Sequence, residues 1–185
     1  MTKSFMTAIA ICLFACNTAE KEIPKEETSE KVAAPPSITN MSGYTPSYSA
    51  SFAMGDARHA ETVLAIYKSW DSGNLETQNS SFADSIELYL SDGTVIAGRR
   101  DSAMATIQKF RNMFSSVKST VHAIFPVKSS DKNEDFVCIW ATEVNINQKG
   151  KKDSVDLQET WRLDKDGKIN LVYQYAKAIK PPKGK

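Results

Sequence analysis

In the run SVDLQETWRL, Ser154 to Leu163, the residues Val155, Leu157, Glu159, Trp161 and Leu163 fall on one face if the run is a strand. A carboxylate in that otherwise apolar row carries more chemical information than any other single side chain of the sequence. Buried, it needs a hydrogen-bonding partner or a raised pKa, and a carboxyl held neutral can give a proton or a hydrogen bond. It can equally be a structural glutamate paired with a neighbouring Arg or Tyr. Tyr67 and His122 are the residues that could assist Glu159 in acid–base work. Each has a plain reading beside the chemical one: Tyr67 as a core residue with a wet hydroxyl, and His122 as a satisfied or exposed histidine. Trp70, Trp140, Trp161, Tyr89, Tyr173 and Tyr175 could line an apolar pocket or simply fill the core. Arg99 and Arg100, after Gly98, could meet an anion at a helix start or stand as solvated loop charges. Two histidines, His59 and His122, are too few for a histidine-built metal site, and no cofactor is expected.

The elements that position these residues follow from hydrophobic period. Asp56 caps a helix in which Ala60, Val63, Leu64, Tyr67 and Trp70 recur at helical spacing until Gly73 stops it. A brief helical turn spans Leu75 to Phe82. "SIELYL", a turn at Ser91-Asp92-Gly93 and "TVIA" make a hairpin. Asp101 or Ser102 then caps a helix with Ala103, Met104, Ile107, Phe110 and Phe114 on one side. From there the period becomes alternating: "TVHAIFPV", "FVCIWATEVNIN", "SVDLQETWRL" and "INLVYQYAK" read as strands, and "DKDGK" is a strong turn signal between the last two. Helices followed by an antiparallel meander describe an α+β domain, with helices on one face of a sheet that curves into a half-open cone.

Composition bounds the rest. Hydrophobic residues make up 41% and charged residues 24% of the 185 positions, enough to bury one core. The net charge of +1 gives no field for nucleic acid or an anionic membrane surface. In "FVCIWATEVNIN" both alternating sets are apolar near the start: Phe136, Cys138 and Trp140 on one side, Val137, Ile139 and Ala141 on the other. One face packs on the helices; the other needs cover, for which a homodimer through the outer sheet face is expected.

The N-terminus reads as an address. "MTKSFMTAIAICLFAC" has one Lys near its start and an uncharged run from Ala8 to Ala15, too short to span a bilayer and matching a secretory signal. "LFAC" resembles a bacterial lipobox, with Phe14 in place of the usual small residue. That resemblance implies cleavage before Cys16, lipid on its thiol, and a protein anchored to the cell-envelope membrane, the outer membrane included. An ordinary signal peptide with a chance Cys is the other reading. Cys12 leaves with the signal and Cys16 is taken by lipid, so Cys138 has no disulfide partner. The divisions are 1–15 signal, 16–55 lipidated Cys and flexible tether, 56–178 domain, and 179–185 basic tail. The tether is rich in Glu, Lys, Ser and Pro. Tyr44, Tyr48, Phe52 and Met54 at its end either dock on the domain as an ordered lead-in or stay in a mobile linker.

The helix ending "YKSWDSGN", the "FADS" turn into the first hairpin, "DGTVIAG" before the second helix, and "ETWRLDKDGKINLVYQY" together resemble a nuclear-transport-factor-2-like domain of the SnoaL-like kind. That resemblance covers residues 56 to about 178 and implies a cystatin-like half-open cone with a pocket between sheet and helices. The superfamily includes ketosteroid isomerases, polyketide cyclases and many binding proteins without catalysis. Matched to ketosteroid isomerases, the base position falls on Leu90, which cannot accept a proton. The oxyanion-holding acid falls on Glu159, and the Tyr counterpart falls on Ile66, beside Tyr67. Asp92 lies in the turn and should point to solvent. The resemblance therefore implies a ligand pocket of Tyr67, Trp70, Tyr89, Leu90, Leu157, Glu159 and Trp161. Two functions stand: a membrane-tethered module that binds a hydrophobic small molecule without catalysis, and a small isomerase, lyase or cyclase acting on a hydrophobic carbonyl compound.

Overall fold

The computed structural model describes residues 42–179. The elements, in chain order, are β1 (Phe52–Met54), α1 (Ala57–Ser72), a 3-10 turn (Leu75–Ser81), β2 (Phe82–Tyr89), β3 (Val95–Arg99), α2 (Arg100–Arg111), β4 (Phe114–Ser129), β5 (Asp135–Asn147), β6 (Lys152–Leu163) and β7 (Ile169–Ala178). The strands form one sheet in the order β1-β4-β5-β6-β7-β2-β3. Signal, lipobox, most of the tether and most of the basic tail lie outside the described residues.

The helix α1 forms where its apolar period requires it. The Asp56 carboxylate accepts from the Arg58 amide at 2.9 Å, which satisfies one of the donors a helix start leaves orphaned. Its end turns at Gly73, whose φ of 79° lies in the left-handed region that glycine enters without strain. The buried Arg111, last residue of α2, donates to the carbonyls of Trp70, Asp71 and Phe114 at 2.5, 2.9 and 3.0 Å. One guanidinium thus closes the C-terminus of α1 and ties it to α2 and β4. Asp71 completes the joint by accepting from the Ser119 amide and hydroxyl. The second helix begins at Arg100, one or two residues before the caps expected at Asp101 or Ser102, and has no side-chain cap. Asp101 instead sits in its first turn, where a negative charge favours the helix dipole.

The sheet is mixed, where an antiparallel sheet was expected. Five strand pairs are antiparallel, four from β1 to β7 through the meander and one in the β2–β3 hairpin, but β2 joins β7 in parallel, with Leu88 opposite Val172. Register shifts between Val121 and Ala123, between Phe82 and Glu87, and between Arg162 and Leu163 are bulges that add bend and twist. They curve the sheet around the helices into an unclosed cone. The core lies between the two layers, with Val63 of α1 and Ile86, Val137, Ile139 and Ile169 of the sheet nearly or wholly inaccessible. Each such side chain contributes roughly 1.5–3 kcal/mol relative to exposure.

The sheet also takes in residues upstream of Asp56. Strand β1 pairs with the edge of β4, Phe52 opposite Ser129. Ahead of it, the Tyr48 hydroxyl donates to Glu134 at 2.5 Å, its ring meets Phe136 edge-on, and the Lys132 ammonium lies 4.2 Å over it. The lead-in is therefore docked at Tyr48 and Phe52, while Tyr44 and Met54 are exposed.

Candidate functional site

The inward faces of β2, β5, β6 and β7, with α1 and α2, enclose an open cavity of about 440 Å³. Its walls are mostly apolar: Ile66, Leu75, Leu88, Leu157, Met104 and Val172 contribute, with the aromatic rings of Tyr67, Trp70, Phe110, Phe114 and Trp161. Few polar groups interrupt them, which is the usual build of a small-molecule site.

Strand alternation in β6 puts Glu159 on this wall between Leu157 and Trp161, as its spacing predicts. Glu159 is 4% exposed. Three neutral donors reach it: the Tyr67 hydroxyl at 2.6 Å and the Trp161 indole at 3.0 Å on Oε2, and the Gln174 amide at 2.8 Å on Oε1. Among the described residues it has no salt-bridge partner. Burial pushes its carboxyl above the ordinary carboxylate range, against the pull of those three hydrogen bonds. Tyr67 in turn is pushed far up, by burial first and then by the negative charge of Glu159. Tyr67 and Glu159 are thus brought together, and the hydroxyl proton is aimed at the carboxylate, with the cavity beside them.

A second carboxylate shares the cavity, and no motif singled it out. Glu143 of β5 is 9% exposed; its Oε2 accepts from the Trp70 indole at 2.7 Å, and its Oε1 has a 3.4 Å contact from the Asn145 amide. Burial raises its pKa as well. Glu143, Asn145 and the β7 residue Gln174 all line the cavity. The signal for the first two was present in the alternation that buries Val137, Ile139 and Ala141; continued by two steps, it reaches Glu143 and Asn145.

The other expected site residues divide. Trp70, Leu90, Leu157 and Trp161 line the cavity, and Asp92 stands exposed at its rim, where its carboxylate accepts from the Thr94 amide. Tyr89 does not belong to the pocket. Because Ile86 and Leu88 point inward, Tyr89 points outward, where it stacks on Tyr173 at 5.0 Å and its hydroxyl donates to Glu87. His122 is the extra residue of the β4 bulge, exposed, with Nε2 2.8 Å from the Thr142 hydroxyl, and it takes no part in the cavity. Trp140, Tyr173 and Tyr175 likewise stand exposed on the outer sheet face. Arg100 turns back to Asp84 and the Phe82 carbonyl. A second, polar hollow of about 410 Å³ beside Lys128, Glu134, Asp135 and Arg162 is closed electrostatically, since Lys128 pairs with Asp135 and Arg162 with Glu134.

A curved, unclosed mixed sheet folded over two helices is an architecture that solved structures share. A SnoaL-like protein from Jannaschia sp. CCS1, assigned as a polyketide cyclase, superposes with a TM-score of 0.53 at 12% identity, over 65% of this chain and 86% of that one. An NTF2-like protein from Exiguobacterium sp. 255-15 superposes with a TM-score of 0.52 at 18% identity, over 63% of this chain and 98% of that one. The epoxide hydrolase/cyclase-like enzyme SalBIII, which has a role in pyran ring formation in salinomycin, gives 0.53 at 12% identity, over 65% and 92%. No protein-family model and no curated protein matches the chain. The chain has the NTF2-like, SnoaL-like fold. At these identities the likeness carries architecture alone.

Proposed function

We propose that the cone is a binding module that holds a hydrophobic small molecule without turning it over, on a protein tethered to the cell-envelope membrane through Cys16. The observation that carries this reading is the placement of Glu159, buried, free of any cation among the described residues, and open to an apolar cavity. Held neutral, its Oε1 can accept from Gln174 and still donate to a ligand carbonyl, while Oε2 keeps Tyr67 and Trp161. Leu90 stands where the resemblance to ketosteroid isomerases places a base, so no proton acceptor faces such a carbonyl from that strand. The module forms a homodimer through the outer sheet face, where Trp140, Tyr173 and Tyr175 are exposed.

A second reading, a small isomerase, lyase or cyclase acting on a hydrophobic carbonyl compound, draws on the short Tyr67–Glu159 contact and on the cyclase chemistry of neighbours of this fold. Native mass spectrometry of the purified chain separates storage from an empty fold. One bound small molecule per protomer is expected, released on Glu159→Ala. A chain that flies with no adduct under gentle conditions, and takes up no hydrophobic carbonyl compound added to it, contradicts the module.

A further inference from the structure

The cavity is chemically one-sided. The residues lining it include three carboxylates, Glu143, Glu159 and the rim residue Asp92, and no lysine, arginine or histidine. Around Glu143 the wall is aromatic: Trp70 and Phe110 stack at 6.2 Å, and Phe110 meets Phe114 edge-on at 5.5 Å. Glu143 Oε2 is held by the Trp70 indole, but Oε1 has only the long Asn145 contact and keeps acceptor capacity. The cation nearest in effect, Arg111, lies over the Trp70 ring at 5.9 Å and directs three of its five N–H donors at backbone carbonyls. Asp71, committed to Ser119, adds a further negative charge that acts on Glu143. With Glu159 held neutral, a buried carboxylate at Glu143 is costly unless something positive joins it. Aromatic faces beside a carboxylate are what a desolvated organic cation seeks.

We infer that the Glu143 end of the cavity is a subsite for an organic ammonium group, so that the ligand of the cone is a hydrophobic amine. The inference rests on the cone being a small-molecule pocket and assigns the class of molecule it takes. The ammonium sits against Glu143 Oε1 and the Trp70–Phe110–Phe114 wall, and the apolar body runs inward past Leu157 towards Tyr67 and Glu159.

Benzoylcholine and its uncharged carbon isostere 3,3-dimethylbutyl benzoate test this, since they share shape and differ by one charge. Titrations of the full chain, followed by the fluorescence of Trp70 and Trp161, should show the cation binding at least ~10-fold tighter, the scale of a desolvated cation–π contact with a charge partner. Glu143→Gln keeps an acceptor for the Trp70 indole and should abolish that preference, bringing the two affinities together. Phe110→Leu, at a half-exposed position that tolerates change, should reduce the preference without affecting the fold. Equal affinities, or a preference that survives Glu143→Gln, would overturn the ammonium subsite and leave the pocket standing. Binding of neither compound would overturn both.

Discussion

Glu159 shows how far a single residue can be read from its neighbours. Its place on the buried face followed from the alternation of Leu157 and Trp161, and its partner Tyr67 was legible as a residue near the matched position. Gln174 was not, because nothing in "INLVYQYAK" says which of two alternating sets faces inward. Gln174 matters for substitution. In Glu159→Gln the new carbonyl can take the place of Oε2, accepting from Tyr67 and Trp161, and the Gln174 amide can flip to present its oxygen to the new amine. Removing the charge while keeping the network has a pH signature. Both Glu143 and Glu159 have folded-state pKa values raised by burial. The stability they contribute is therefore fully present below the unfolded carboxyl value of about 4.3 and is lost as pH rises through the folded values. Asp131 has the opposite sign, its carboxyl held down to about 2 by the Ser129 hydroxyl and the Ser49 amide. Its contribution is complete above about 3.9 and leaves the window free. Urea unfolding should show stability falling as pH rises above about 4.3, with a flatter profile in Glu159→Gln and in Glu143→Gln. A fall of equal slope in the Gln variants would mean that these carboxyls are ionised at no cost.

At the scale of elements, local signals carried most of the architecture. The Asp56 cap, the Gly73 stop, the 3-10 turn and the Asp92-Gly93 hairpin all lie where turn chemistry and period put them. The parallel junction of β2 with β7 had no such signal, since Glu87 meets Leu171 across most of the domain and no turn connects them. Tyr89 was misplaced for a related reason: in "IELYL" every second residue is apolar and the tyrosine between them looks equally fit for a pocket. β5 was ambiguous on both faces. The structure buries Val137, Ile139 and Ala141 and turns Trp140 outward, 47% exposed, near Tyr173 at 40% and Tyr175 at 65%. An exposed aromatic row on a broad sheet is costly to leave in water. Sedimentation of the chain at high micromolar concentration should find a dimer, and Tyr175→Lys with Trp140→Lys should shift it to monomer. A strict monomer for the unaltered chain contradicts the covered face.

The whole molecule adds what neither residues nor strands announce. The cavity exists only once bulges bend the sheet and Arg111 fixes α1, α2 and β4 around Trp70 and Phe114. Its second carboxylate, Glu143, becomes informative only beside that void. The docked lead-in of Tyr48 and Phe52 fixes where any tether leaves the domain. Palmitate labelling should mark the chain and place it in the membrane fraction, with both lost on Cys16→Ala; a Cys16→Ala chain that stays labelled and pelleted contradicts the anchor.

The central claim is that the cone holds its ligand and does not convert it. Its most direct measurement is calorimetric titration of the chain with a hydrophobic β,γ-unsaturated cyclic ketone, while absorbance reports any conjugated product. Wild type and Glu159→Gln should bind alike, since both can donate to the carbonyl. Glu159→Ala should bind more weakly by the ~1–3 kcal/mol lost when a buried partner goes unsatisfied, roughly 5- to 150-fold. No conjugated product should form in any of the three. Steady conversion by the wild-type chain, abolished in Glu159→Gln, would contradict the account and make the cone an isomerase.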